Sequence, residues 1–207
     1  MKIIGIIGGI ASGKDTVAKI FESLKIRVFD ADKIVHEIFK NNQQVISKIT
    51  KQFPQANENN VINRKILGDS ILKNPQNLNN LEQIIHPIVR NSYQQFLTNA
   101  INDKEKLVVL NIPLLLENNH YKFDKLIAII ADEHICLKRY LSRLGYDSFD
   151  LKDPEIIGLT KKFYLLRSKQ IEDQQRIKLA NYVVENNSDI SNLKSKIIEI
   201  FNEISLS

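Results

Sequence analysis

The 207-residue sequence predicts a three-layer α/β fold with a parallel central sheet and a helical insertion. Three observations predict it. Short aliphatic runs alternate with helical periods, a glycine-rich turn follows the first run, and a long helical stretch separates the second run from the third.

Lys2 to Ile7 is a nearly unbroken aliphatic run ending in Gly8-Gly9, which reads as a buried strand followed by a sharp turn. From Lys14 the period changes: Val17, Ile20, Phe21 and Leu24 recur at helical spacing. Ile26 to Phe29 returns to a strand, which closes a strand–helix–strand unit with a right-handed crossover. Ala31 to about Ile101 reads as helix almost throughout, with faces such as Ile34, Val35, Ile38 and Phe39, then Val45, Ile46, Ile49 and Phe53. Leu78, Leu81, Ile84 and Ile85 lead to His86-Pro87, where the missing amide proton predicts a helix end or kink before Val89, Tyr93, Phe96 and Leu97 resume the period. Leu107 to Ile112 and Leu126 to Ile130 are further strands. A helix over Glu133 to Leu144 follows, then a polar, basic stretch broken at Pro154, a strand at Tyr182 to Val184 and an amphipathic helix over Ile190 to Ile204. The asparagine runs 57–60 and 77–80 mark turns and helix starts.

Composition narrows the function classes. The net charge of +5 is spread along the chain, which suits anionic partners without separating nucleic acid from nucleotide phosphates. The single cysteine, Cys136, excludes an intramolecular disulfide and a cysteine-based metal cluster, and points to a reducing compartment. No run approaches the ~20 apolar residues needed to span a bilayer. The opening resembles a short signal peptide, but its apolar core runs directly into Ser12-Gly13-Lys14, so a cytoplasmic location is expected.

Gly8 to Lys14 matches the first seven positions of the phosphate-binding loop Gly-x-x-x-x-Gly-Lys-[Ser/Thr], between a strand and a helix as that loop requires. Glycines let backbone amides face a polyphosphate, the helix N-terminus adds partial positive charge, and Lys14 brings an ammonium group to the phosphates. Gly9, Ala11, Ser12, Gly13, Lys14, Asp15 and Thr16 are therefore the candidate nucleotide-binding residues, with ATP the expected ligand. Position eight is Asp15 where a hydroxyl residue is usual, and Thr16 follows, so Asp15 and Thr16 are the candidate ligands of Mg2+. Nucleotide binding is common to GTPases, motors and small-molecule kinases, so the loop alone does not name a reaction.

Asp30-Ala31-Asp32 follows the second strand at its carboxyl end, where ligands gather in open parallel sheets. One carboxylate there can serve as general base toward an acceptor hydroxyl. The alternative is that either aspartate caps the next helix. Arg139 and Arg143, four apart on a predicted helix, share a face and offer planar forks for phosphate oxygens.

The ordered set of motifs resembles the dephospho-coenzyme A kinases over nearly the whole chain. It comprises Gly8 to Thr16 with Asp30-Ala31-Asp32, Leu81 to Val89 around His86-Pro87, Ile112-Pro113-Leu114-Leu115-Leu116-Glu117, Arg139 and Arg143 with Arg167 and Gln170, and Ala180 to Asn186. The resemblance implies a P-loop kinase fold with a helical substrate-binding insertion and a lid. It implies one domain, with a nucleotide-binding core at 1–30, 102–138 and 177–207, a coenzyme-binding part at 31–101 and a lid at 139–176. The implied reaction is ATP-dependent phosphorylation of the ribose 3′-hydroxyl of dephospho-coenzyme A, the last step of coenzyme A biosynthesis. Asp32 matches the family's catalytic base, Lys14 the loop lysine and Arg139 the lid arginine that closes over ATP. Asp30, Asp32 and His86 fall where the coenzyme binds, although a lone histidine more often packs or caps. The partner implied is a small molecule, with no nucleic acid or membrane, and oligomeric state stays open.

Three departures stand out: Lys25 where many members carry glycine, Asn181 for a usual aspartate, and a long stretch with Pro154 between Leu144 and Leu166. A nucleoside or nucleotide kinase would explain the loop and the insertion, but not Asp30-Ala31-Asp32 together with His86-Pro87. A GTP-dependent switch would require an Asn-Lys-x-Asp element late in the chain, which is missing.

Overall fold

The computed structural model describes residues 1–113, 115–116 and 120–206. In chain order the elements are β1 (Lys2–Gly8), α1 (Lys14–Ser23), β2 (Arg27–Asp30), α2 (Ala31–Asn41), α3 (Gln43–Gln52), β3 (Asn57–Glu58), β4 (Val61–Ile62), α4 (Arg64–Lys73) and α5 (Pro75–Asn102). There follow β5 (Leu107–Asn111), β6 (Lys125–Ile130), α6 (Glu133–Ser142), α7 (Pro154–Ser168), α8 (Asp173–Leu179), β7 (Tyr182–Glu185) and α9 (Ile190–Leu206). The chain divides into two compact units, one of residues Met1–Phe29 with everything from Glu105 onward, the other Asp30–Lys104. Leu114 and Glu117 of the Ile112–Glu117 motif lie outside the described residues.

The first unit is built on a five-stranded sheet of order β2-β5-β1-β6-β7. β1 runs parallel to β5, Lys2 facing Leu107, and to β6, Ile4 facing Lys125; β6 runs parallel to β7. A parallel sheet is covered on both faces, which is why Ile4, Gly5, Ile6 and Ile7 are all buried. On one face Ile4, Ile6, Val109, Ile127 and Ile129 pack with Val17 and Phe21 of α1 and Leu193 and Ile197 of α9. α8 lies against β1 and β6.

Two departures from the family pattern find their physical account here. Asn181 accepts the Leu126 amide on Oδ1 at 2.9 Å while its own amide donates to the Leu126 carbonyl at 2.9 Å. An aspartate would supply the same oxygen, so the exchange keeps the bond that starts β7 beside β6. Lys25 adopts a left-handed backbone, φ 65°, directly after the α1 cap residue Leu24. Its amide reaches the Glu22 carbonyl at 3.0 Å and the Ile26 amide reaches Phe21 at 3.1 Å, the double bond of a Schellman turn.

The predicted helix at Glu133–Leu144 stops at Ser142, because Gly145 turns left-handed, φ 96°, and the Tyr146 amide bonds back to Leu141 at 3.1 Å. Pro154 opens a helix rather than breaking one. It occupies the first turn of α7, where no amide proton is needed, and Asp153 caps that turn by accepting the Glu155 amide at 2.8 Å.

The second unit holds α2 to α5 around Ile38, Phe39, Val45, Ile46, Ile49, Leu67, Ile85, Val89 and Tyr93. Asparagine side chains start α3, α4 and α5. Asn42 accepts from Val45, Asn63 from Lys65 and Ile66, and Asn74 from Gln76, each cap contributing about 1 kcal/mol. One sequence reading is corrected in this unit and another is narrowed. The stretch is interrupted by the β3–β4 hairpin, whose turn residues Asn59 and Asn60 both have positive φ, 52° and 63°, as a two-residue turn of primed type demands. The helix also does not end at His86: α5 runs unbroken through Pro87. Gln83, whose carbonyl loses its donor to the proline, is exposed along with Pro87, so the side of α5 that lacks the bond faces solvent.

Candidate active site

β1 is flanked on both sides by other strands, so the loop leaving its carboxyl end emerges where the strand order reverses. Residues Gly9 to Gly13 form that loop and Gly13 is the N-cap of α1, with φ 105°. The amides of Gly13, Lys14 and Asp15 open the helix and have no acceptor within it. A side-chain carbon on Gly13 would overlap Asn186 Nδ2, which donates to the Ser12 carbonyl at 2.7 Å in a buried contact. Asn186 thus replaces the missing side chain and holds the loop from the end of β7. Ser12 Oγ is buried with no hydrogen-bond partner among the described residues.

Lys14 Nζ donates to Asn111 Oδ1 and lies 3.6 Å from Asp15 Oδ1. Asn111, the last residue of β5 and 1 % exposed, also donates to Asp15 Oδ1 through Nδ2 at 3.3 Å. From α6, Arg139 Nη1 reaches the Ser12 carbonyl at 3.5 Å, and Arg143 Nη1 stands 4.0 Å from Asp15 Oδ2. Arg139, Arg143, Gly13, Thr16 and Asn186 line one cavity of about 610 Å³. The loop residues and both arginines predicted from sequence are therefore brought together within the first unit.

A second basic group covers the other side of the loop. Gln170 Oε1 accepts the Ile10 amide at 2.9 Å. Arg176 is 6 % exposed, and its Nη1 lies 3.3 Å from where a side-chain carbon on Gly9 would stand, so a larger residue there crowds the guanidinium. Asp173 ties Arg176 at 2.5 Å and Arg167 at 2.9 Å, and Arg167 Nε lies 3.5 Å from Glu133. Beneath this group Cys136 has no exposed surface; burial pushes its thiol pKa up against the opposing pull of Arg167 and Arg139. It is a packing group.

Asp30, Asp32 and His86 belong to the second unit. Asp30 is the N-cap of α2, accepting the Lys33 amide on Oδ1 at 3.0 Å, so the capping alternative holds for Asp30. Asp32 is exposed in the first turn of α2, where the helix dipole favours its negative charge. His86 is exposed on α5 and lines a polar depression of about 520 Å³ with Glu82 and Arg90.

Sequence reasoning missed Asn111 and Arg176, and it included Asn186 in the closing Ala180–Asn186 motif without giving it a role at the loop. Asn111 carried a usable signal, since a polar residue closes an otherwise aliphatic strand at its ligand-facing end. Arg176 carried none for its place over the loop, because Gly9 lies more than 100 residues away in sequence.

The family model for dephospho-CoA kinase matches residues 2–192. A curated dephospho-CoA kinase from Bartonella henselae is 32 % identical over 99 % of this chain and 98 % of its own length. The crystal structure of TT1252 from Thermus thermophilus superposes with TM-score 0.75 at 25 % identity, covering 98 % of this chain and 97 % of that one. A dephospho-CoA kinase from Campylobacter jejuni shares the fold with TM-score 0.64 at 24 % identity, covering 98 % of this chain and 97 % of that one. A strand-loop-helix phosphate cradle ringed by basic side chains, within a chain matched almost end to end, makes this an enzyme of the phosphotransferase class, and the chain belongs to the dephospho-CoA kinase family.

Proposed function

We propose that this enzyme transfers the terminal phosphoryl group of ATP to the ribose 3′-hydroxyl of dephospho-coenzyme A through the residues of the Gly9–Thr16 loop, Arg139, Arg143 and Asp32. The observation that carries the nucleotide half of this reading is the convergence of Lys14, Arg139 and Arg143 on a loop whose Gly13, Lys14 and Asp15 amides have no acceptor within the helix they open, beside the buried Ser12 hydroxyl. A triphosphate tail supplies acceptor oxygens for all of them.

In the reaction the acceptor oxygen forms a bond to the terminal phosphorus while the bond from that phosphorus to the bridging oxygen of ADP breaks. The hydroxyl proton passes to Asp32, which is exposed in the first turn of α2, whereas Asp30 is the N-cap of that helix. Lys14 and Arg139 stabilise the charge that spreads over the transferring group. Asp30 and His86 are assigned to the substrate side. Asp30 acts by fixing the start of α2, and His86 offers an exposed imidazole beside Arg90 in a polar depression suited to an anionic coenzyme.

The donor set fits a magnesium ion, since Asp15 offers a half-exposed carboxylate and Thr16 a hydroxyl in adjacent positions. When bound, such an ion would neutralise polyphosphate charge. A lid over residues 139–176 is assigned to water exclusion, its first residues, 139–142, forming the end of α6. A cytoplasmic location is consistent with the free, buried Cys136, and no helix among the described residues is long and apolar enough to cross a membrane.

Purified protein given ATP, Mg2+ and dephospho-coenzyme A should yield coenzyme A and ADP. Asp32→Asn should lower kcat by about 10²–10⁴-fold with ATP affinity nearly unchanged. Turnover of a nucleoside monophosphate with none of dephospho-coenzyme A would replace the acceptor assignment, and undiminished kcat in Asp32→Asn would remove its role as base.

A further inference from the structure

The residue after the loop lysine is a carboxylate, and its surroundings show what that does. Asp15 stands between two cations of the loop region, with Oδ1 3.6 Å from Lys14 Nζ and Oδ2 4.0 Å from Arg143 Nη1. Asn111, buried at the end of β5, accepts from Lys14 and donates to Asp15, so one carboxamide fixes the ammonium and the carboxylate side by side. A serine or threonine in this place would be neutral. Asp15 instead presents a negative charge, half exposed, in the residue before Thr16, which lines the cavity.

We propose that Asp15 makes the loop selective for the metal-complexed form of the nucleotide over the bare polyanion. This rests on the reading of the Gly9–Thr16 loop as the triphosphate site. A bare triphosphate entering the loop competes with Asp15 for Lys14 and Arg143 and meets like charge within a few ångströms, where screening by solvent is incomplete. A triphosphate carrying a divalent cation brings the charge that Asp15 attracts. The carboxylate therefore opposes one form and favours the other, while a hydroxyl would treat them more evenly. Asn111 is the positioning residue of this device, because its carboxamide keeps Oδ1 of Asp15 on the Lys14 side.

The test is a binding titration of ATP into the full-length protein, in excess EDTA and again in excess MgCl2, for wild type, Asp15→Asn and Asp15→Glu. The quantity read is the ratio of the two dissociation constants. Asp15→Asn should tighten metal-free ATP on the order of tenfold without tightening the magnesium complex, so the ratio collapses by about that factor. Asp15→Glu should keep most of the ratio, since charge rather than shape sets it. An Asp15→Asn ratio equal to wild type, with both proteins binding ATP, overturns the proposal and leaves the triphosphate site intact. Absence of ATP binding by wild type in both conditions overturns the loop reading itself, and the proposal with it.

Discussion

Replacing Lys25 by glycine should make the protein more stable, and the structure sets the size of the gain. Lys25 is exposed and takes φ 65° immediately after α1, where both Schellman hydrogen bonds are already made. A residue with a side-chain carbon loses roughly 1–2 kcal/mol in left-handed backbone, whereas glycine loses nothing there. Glycine in turn gives the unfolded chain about 0.5–1 kcal/mol more conformational freedom to lose. The lysine chain is exposed, so the net gain should be about 0.5–1 kcal/mol, or a rise of roughly 1–4 °C in Tm for a chain this long. Thermal and urea unfolding of wild type, Lys25→Gly and Lys25→Ala would measure it. The alanine variant separates causes, because it removes the lysine chain and keeps the strained backbone; it should sit within about 0.5 kcal/mol of wild type. An equal gain in Lys25→Ala would mean that the lysine charge, not the backbone, was the liability. A loss in Lys25→Gly would refute the reasoning.

Gly13→Ala should abolish measurable ATP binding by equilibrium titration, because its side-chain carbon would collide with Asn186 Nδ2 at a backbone angle alanine rarely adopts; retained affinity would show that Asn186 yields. Cys136, whose thiol is pushed up by burial, keeps its proton in the folded chain at a pH where the unfolded chain, with a thiol near 9.0, has lost it. Stability contributed by the buried thiol is therefore present below that value and declines as pH rises past it. The stability difference between wild type and Cys136→Ala should narrow from pH 8 to pH 10 in urea titrations.

Strands and the loop were legible because they depend on neighbours in sequence. Lys2 to Gly9 announces a buried strand and a turn through its own composition, and Val17, Ile20 and Phe21 announce the helix by spacing. The β3–β4 hairpin was not legible as strands. Two-residue strands have no period to read, although Asn59-Asn60 did signal a turn. Pro87 left an end or a kink open, and the end is not taken. Proline weakens a helix locally, but a helix of 28 residues packed through Ile85, Val89 and Tyr93 retains enough tertiary burial to continue past it. At the site, the loop and its arginines follow from local pattern. The link from Asn111 to Lys14 and Asp15, the hold of Asn186 on Ser12 and the cover of Arg176 over Gly9 come from strand order, which places sequence-distant residues at one sheet edge.

The pairing of Lys2 with Leu107 has a consequence for how the chain is made. A ribosome adding about 5–20 residues per second releases β1 roughly 5–20 s before its neighbour β5 exists. During that interval this apolar strand has no permanent partner, while the helices of residues 30–104 can already condense among themselves. Closing the sheet afterwards spans the whole insertion, yet the entropy of closure grows only by about 0.6 kcal/mol for each doubling of length. The architecture therefore exposes a sticky strand early in synthesis, and in exchange lets the helical insertion vary in size with little effect on the stability of the sheet that carries the phosphate loop.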